Sequence, residues 1–136
     1  MAEGLLKSAL GDSSDIRVAS AGIAAFPGQS ASRETRNILK KRNVPLKNFK
    51  SRQIDEELLT GMDLIIAMTN SHADFVKRSF PEHAGCVKLL CDFINPEEQW
   101  RGADVPDPIG MGSEAYEEVA RVIGLAVPGI IRELDA

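Results

Sequence analysis

The strongest pattern in the chain lies near its end. From Ser113 to about Leu134, apolar residues recur at Tyr116, Val119, Ala120, Ile123, Val127, Ile130, Ile131 and Leu134. That is the 3.6-residue period of an amphipathic helix, and Ser113 is placed to cap it. Gly124 and Pro128 lie inside, and the missing proline donor predicts a kink near the middle. Leu64-Ile65-Ile66-Ala67-Met68 shows a different pattern, an unbroken apolar run of strand length. Such a run suits a strand covered on both faces, as in a parallel sheet. Ile16 to Ala21 and Val87-Lys88-Leu89-Leu90 read as further strands.

Helical segments separate these runs. Ala2 to about Leu10 places Leu5, Leu6, Ala9 and Leu10 on one side. Ser32 can cap a helix reaching about Arg42, with Ile38 and Leu39 facing inward. Asp55 to Gly61 is a short helix, and Thr69 or Asn70 can cap another that runs to Phe80 and ends at Pro81. This alternation predicts one α/β domain, a small doubly wound, mostly parallel sheet flanked by helices. Asn95 to Gly112 is left as a long irregular loop, and such loops in compact domains are often functional.

Composition narrows the function classes. The 136 residues suit a single domain, and 43% hydrophobic with 26% charged residues is an ordinary globular balance. Net charge is −4, and Lys and Arg read as scattered among Asp and Glu, with one Trp and one Tyr. Neither an electrostatic footprint nor a stacking platform for nucleic acid is expected. No apolar run reaches membrane-spanning length, and Met1-Ala2-Glu3-Gly4-Leu5-Leu6-Lys7 does not read as a signal peptide. Cys86 and Cys91 are too few for a disulfide framework, which points to a reducing, cytoplasmic setting. They are expected to be buried or half-buried thiols. His72 and His83 do not complete a metal-ligand spacing with them, so no metal is expected.

Several short segments, in order, carry a resemblance. They are Met1-Ala2-Glu3-Gly4-Leu5-Leu6, Ser20-Ala21-Gly22, Lys50-Ser51-Arg52-Gln53, Asp63-Leu64-Ile65-Ile66-Ala67-Met68-Thr69, Asp104-Val105-Pro106-Asp107-Pro108 and Tyr116-Glu117-Glu118. Together they resemble the low-molecular-weight protein tyrosine phosphatases over essentially the whole chain. The Ala-Met-Thr ending and the Asp-Pro-x-Gly loop are closest to the bacterial branch that includes protein arginine phosphatases.

The resemblance implies hydrolysis of phosphorylated protein side chains through a phosphocysteine, with no cofactor. A cysteine thiolate begins a Cys-x5-Arg loop whose backbone N–H groups cradle phosphate and whose arginine grips it bidentately. Asp107 takes the place of the general acid. Ile109 stands where tyrosine-directed members often carry an aromatic ring, which tilts the reading toward a smaller phosphorylated group such as phosphoarginine. Phe26 or Trp100 could supply an aromatic wall instead, with packing at least as much expected of each. Ser20 matches a serine that supports the phosphate loop, but Phe49 replaces the histidine that usually partners it.

No Cys-x5-Arg occurs in these residues, since Asp92 lies six after Cys86 and Glu97 six after Cys91. By the resemblance, the chain starts just after its own nucleophile loop and lacks the first, central strand. Either an upstream segment belongs to the protein and the whole is active, or the chain is a pseudo-phosphatase that binds phosphoproteins or a partner subunit. An arsenate reductase is a lesser alternative. The chain by itself is expected to be inactive, and prone to self-association through an incomplete sheet.

Overall fold

The computed structural model describes residues 1–11, 15–44, 46 and 49–135. Helix α1 is Ala2–Leu10, α2 Arg33–Lys41, α3 Glu56–Leu59, α4 Asn70–Ser79 and α5 Ser113–Asp135. Strands β1, Ile65–Ala67, and β2, Val87–Leu89, pair in parallel with Ile66 opposite Lys88. Short 3-10 turns cover Pro81–Cys86 and Leu90–Phe93. The α/β architecture expected from the alternation is present, with a small parallel sheet among helices.

Side chains start these helices where the sequence placed them. Ser32 Oγ accepts from the Thr35 N–H, Asp55 Oδ1 from Leu58 and Thr69 Oγ1 from His72. Each satisfies one of the donors a helix leaves unpaired at its start. At α4 the cap is therefore Thr69 rather than Asn70.

Helix α5 organises the main core. Tyr116, Val119, Ala120, Ile123, Val127 and Ile130 are buried as the stripe predicts, and so are Val122 and Ala126, which it omits. Against α5 pack Leu90, Cys91 and Ile94 from the turn after β2, and Leu5 and Leu6 from α1. The helix runs unbroken through Pro128. Next to it, Gly129 sits so close to the Phe93 carbonyl that an added Cβ would overlap it.

Two expectations need correction. Ile16–Ala21 forms no ladder strand among the described residues, although exposure still alternates from Arg17 to Ala21 as in extended chain. At its end Gly22 bridges Gln53 in parallel. Period-two patterning gives the local conformation, but a strand also needs a paired neighbour. Ala9 of α1 is exposed instead of sharing the face of Leu5 and Leu6. Trp100 packs partly buried against the α5 core, the packing role that the sequence equally allowed. No helix among the described residues is long and apolar enough to cross a membrane.

Candidate active site

The loop carrying Asp107 is anchored at its root and open at its tip. Val105 is buried in the α5 core, and its N–H donates to the Met68 carbonyl at 2.9 Å, just beyond β1. Asp104 Oδ1 accepts from the Asn70 N–H at 2.7 Å and from Asn70 Nδ2 at 3.0 Å. A carboxylate at that position also meets the positive end of α4. The end of β1, the start of α4 and the root of the loop thus form one joint. Asp104→Ala should remove two hydrogen bonds and this dipole contact. Thermal unfolding should show a loss of about 1 kcal/mol, while an unchanged melting temperature would separate the loop root from α4.

Beyond the joint the loop winds on itself. Asp107 Oδ1 accepts from the Ile109 N–H at 3.0 Å, the Met111 N–H donates to the Pro108 carbonyl at 2.9 Å, and Gly110 takes a φ of 80°. Only glycine adopts that backbone region without strain. Pro108 fixes its own φ next to Asp107. The result is a short turn that presents the Asp107 carboxylate to solvent, with Ile109 78% exposed beside it.

Ser20 lies in a different network. Its Oγ donates to Glu3 Oε1 at 2.8 Å, and Lys7 Nζ donates to Glu3 Oε2 at 3.0 Å. Glu3 is only 9% exposed, so these two donors balance a carboxylate drawn out of water. The contact ties the first turn of α1 to the segment ending at Ala21.

The residues after Gly22 are held by the 51–54 segment. Gln53 bridges Ala25 and Ile23 through its side chain, receiving the Ala25 N–H and donating to the Ile23 carbonyl. Ser51 Oγ donates to the Phe26 carbonyl and accepts from the Gln29 N–H. Backbone bonds from Gly28 to Ser51 and from Ser51 to Gln29 complete the clasp. The fixed loop leaves Phe26 75% exposed, so its side chain is not core packing.

Neither cysteine has the setting of a nucleophile. Cys91 is fully buried, and burial, then the charges of Asp92 and Asp104, push its thiol above the usual range. A thiolate is disfavoured there. Cys86 is half-buried, and the two thiols are free. No group of three or more His, Cys, Asp or Glu able to hold a metal occurs among the described residues. His83 instead bonds Glu56 at 2.6 Å, joining the turn before β2 to α3.

The structure therefore brings Asp107 and Ile109 into one turn and places Ser20 on Glu3. Sequence reading passed over Glu3, Asp104 and Gln53. Glu3 resembles any first-turn helix acid, and Asp104 and Gln53 find partners far along the chain, so no local spacing marks them.

Comparisons bear on the whole chain. A family profile described as low molecular weight phosphotyrosine protein phosphatase matches residues 1–136. A probable low molecular weight protein-tyrosine-phosphatase, AmsI of Erwinia amylovora, is 31% identical over 121 residues, 89% of this chain and 78% of that protein. The protein-arginine-phosphatase of Bacillus subtilis (strain 168) is 30% identical over 119 residues, 87% of this chain and 76% of its own. Among solved structures, the YwlE arginine phosphatase from Geobacillus stearothermophilus superposes with a TM-score of 0.83 at 25% identity, covering 98% of this chain and 82% of that one. A low molecular weight protein tyrosine phosphatase from T. tengcongensis gives 0.83 at 30% identity, covering 97% and 88%.

Proposed function

The chain belongs to the low molecular weight phosphotyrosine protein phosphatase family, and on that premise we propose that it supplies most of a phosphatase for phosphorylated protein side chains. The observation that carries this reading is the Asp107 turn: a carboxyl group exposed at the tip of a loop whose root is locked to β1 and α4. In the proposed reaction a cysteine thiolate attacks phosphorus and the bond to the leaving atom breaks. Protonated Asp107 gives its proton to that atom. The Asp107 carboxylate then takes a proton from water, which attacks the phosphocysteine and releases phosphate and thiolate. The cysteine and the phosphate-gripping arginine are not within these 136 residues as a Cys-x5-Arg pair.

Ser20 is proposed as a support of that phosphate loop, held in turn by Glu3. Ile109 is proposed as a wall of the substrate pocket. An aliphatic wall offers contact without the stacking that an aromatic ring gives a phosphotyrosine ring. Phosphoarginine is therefore the substrate class favoured. The test is a pair of peptides, one with phosphoarginine and one with phosphotyrosine, offered to the chain carrying a Cys-x5-Arg segment in front. Faster turnover of phosphoarginine is expected, with Ile109→Tyr moving the ratio toward phosphotyrosine. A preference for phosphotyrosine that Ile109→Tyr leaves unchanged would remove Ile109 from substrate choice.

A second reading has its own observations. Cys91 is buried with its thiol pushed up, and Phe49 cannot serve as the hydrogen-bonding partner that histidine would be. These favour a pseudo-phosphatase that binds phosphorylated proteins without turnover. Binding of a phosphopeptide by the 136-residue chain alone, at an affinity no upstream segment improves, would select this reading.

A further inference from the structure

Charge along the chain is less even than its total suggests. Residues 33–52 hold eight of the 16 lysines and arginines and a single carboxylate, Glu34, in a chain whose net charge is −4. Five of the eight lie on or just after α2, all exposed. Among the described residues Arg42 pairs with Glu117 at 3.6 Å, while Arg33, Arg36, Lys40 and Lys41 make no ion pair.

Three of these unpaired cations border a groove. It is about 1050 Å³, with Arg33, Lys40 and Lys41 on the α2 bank and the first turns of α5 on the other. Its mouth is formed by Met111 and Gly112, the end of the turn that carries Asp107. Met111 is 61% exposed there, an apolar side chain beside a charged channel. On the α5 bank, Glu117 and Glu118 are already engaged by Arg42 and Arg121. Glu34 on the α2 bank and Glu114 on the α5 bank also line the groove and make no ion pair among the described residues, so its uncommitted charges are three cations, all on the α2 bank, against these two carboxylates.

We propose that this groove holds an acidic stretch of the phosphoprotein substrate that flanks the phosphorylated residue. The proposal rests on the phosphatase reading and names the partner of the same face. A helix of nine residues is about 13 Å long, room for roughly four extended residues. In an extended polypeptide alternate side chains point to opposite sides, so carboxylates can face α2 while neutral residues face the glutamates of α5. A nucleic acid cannot separate its charge in this way, because phosphates follow one another along its backbone. The protein's overall negative charge would repel acidic partners elsewhere on its surface and so direct them to this bank.

The test uses the 136-residue chain and an unphosphorylated, fluorescein-labelled octapeptide alternating Glu with Ser. Anisotropy should report binding that weakens as salt rises. Arg33→Glu/Lys40→Glu/Lys41→Glu should weaken it roughly tenfold or more, and Lys40→Gln/Lys41→Gln by less, with Arg78→Glu on α4 unchanged. Melting curves confirm that the variants fold. No binding of the peptide, equal binding by the triple variant, or tighter binding of a thymidine oligonucleotide would each overturn the proposal. Because the probe carries no phosphate, this result is independent of whether the protein hydrolyses anything.

Discussion

Asp107→Asn should slow turnover by roughly 100- to 10,000-fold when a Cys-x5-Arg segment precedes the chain, the usual contribution of a positioned acid or base. That corresponds to about 3–5 kcal/mol of barrier. The loss should be largest on substrates with poor leaving groups, which need a proton as the bond to phosphorus breaks. An amide cannot give that proton. Phosphate affinity should change little, because Asp107 hydrogen-bonds within its own turn. Asparagine can still accept the Ile109 N–H as Asp107 Oδ1 does, so the turn itself should survive. Rates measured across a series of aryl phosphates decide the matter. A uniform fall that ignores leaving-group basicity would mean the substitution acts by disturbing the loop and not by removing an acid.

The second large effect is on folding. Gly129→Ala would drive a methyl group into the Phe93 carbonyl, part of the turn that follows β2. Helix α5 has little freedom to retreat, because Val122 and Ala126 on the same helix are fully buried. Overpacking of this kind costs about 1–3 kcal/mol and occasionally more, a large share of a domain's roughly 5–15 kcal/mol. A fall in melting temperature on the order of 10 °C is expected. Gly124→Ala on the same helix is the internal control, since an added Cβ there meets nothing within 4 Å. It should be neutral or stabilising by up to about 1 kcal/mol through helix propensity alone. Equal effects of the two substitutions would show that the close approach at Gly129 is relieved at no cost.

What could be read from the sequence divides along physical lines. Features set by a few neighbouring residues were legible: the caps at Ser32 and Thr69, the β1 run, and the long stripe of α5. Features set by distant partners were not. Val122 and Ala126 widen the buried face of α5 because packing comes from two sides, the turn after β2 and helix α1, whereas periodicity alone describes a single stripe. The segment from Ile16 to Ala21 has the alternation of a strand without a ladder, because pairing depends on what lies beside it.

At the candidate site the same division holds. The Asp-Pro turn could be recognised from Asp107, Pro108 and Gly110 alone. The joint that fixes it, Asp104 on Asn70 and Val105 on Met68, joins residues more than 30 positions apart. Ser20 was singled out only through resemblance, and its partner Glu3 emerges from the fold.

Asp107 is proposed as the acid of a phosphatase whose Cys-x5-Arg pair does not occur in these 136 residues. Hydrolysis of a generic aryl phosphate, measured on the 136-residue chain and on the same chain preceded by an apolar strand and a Cys-x5-Arg loop, tests it most directly. No turnover above background is expected for the first and clear turnover for the second, abolished when the added cysteine is changed to serine. Turnover by the 136-residue chain that Asp107→Ala removes would contradict it.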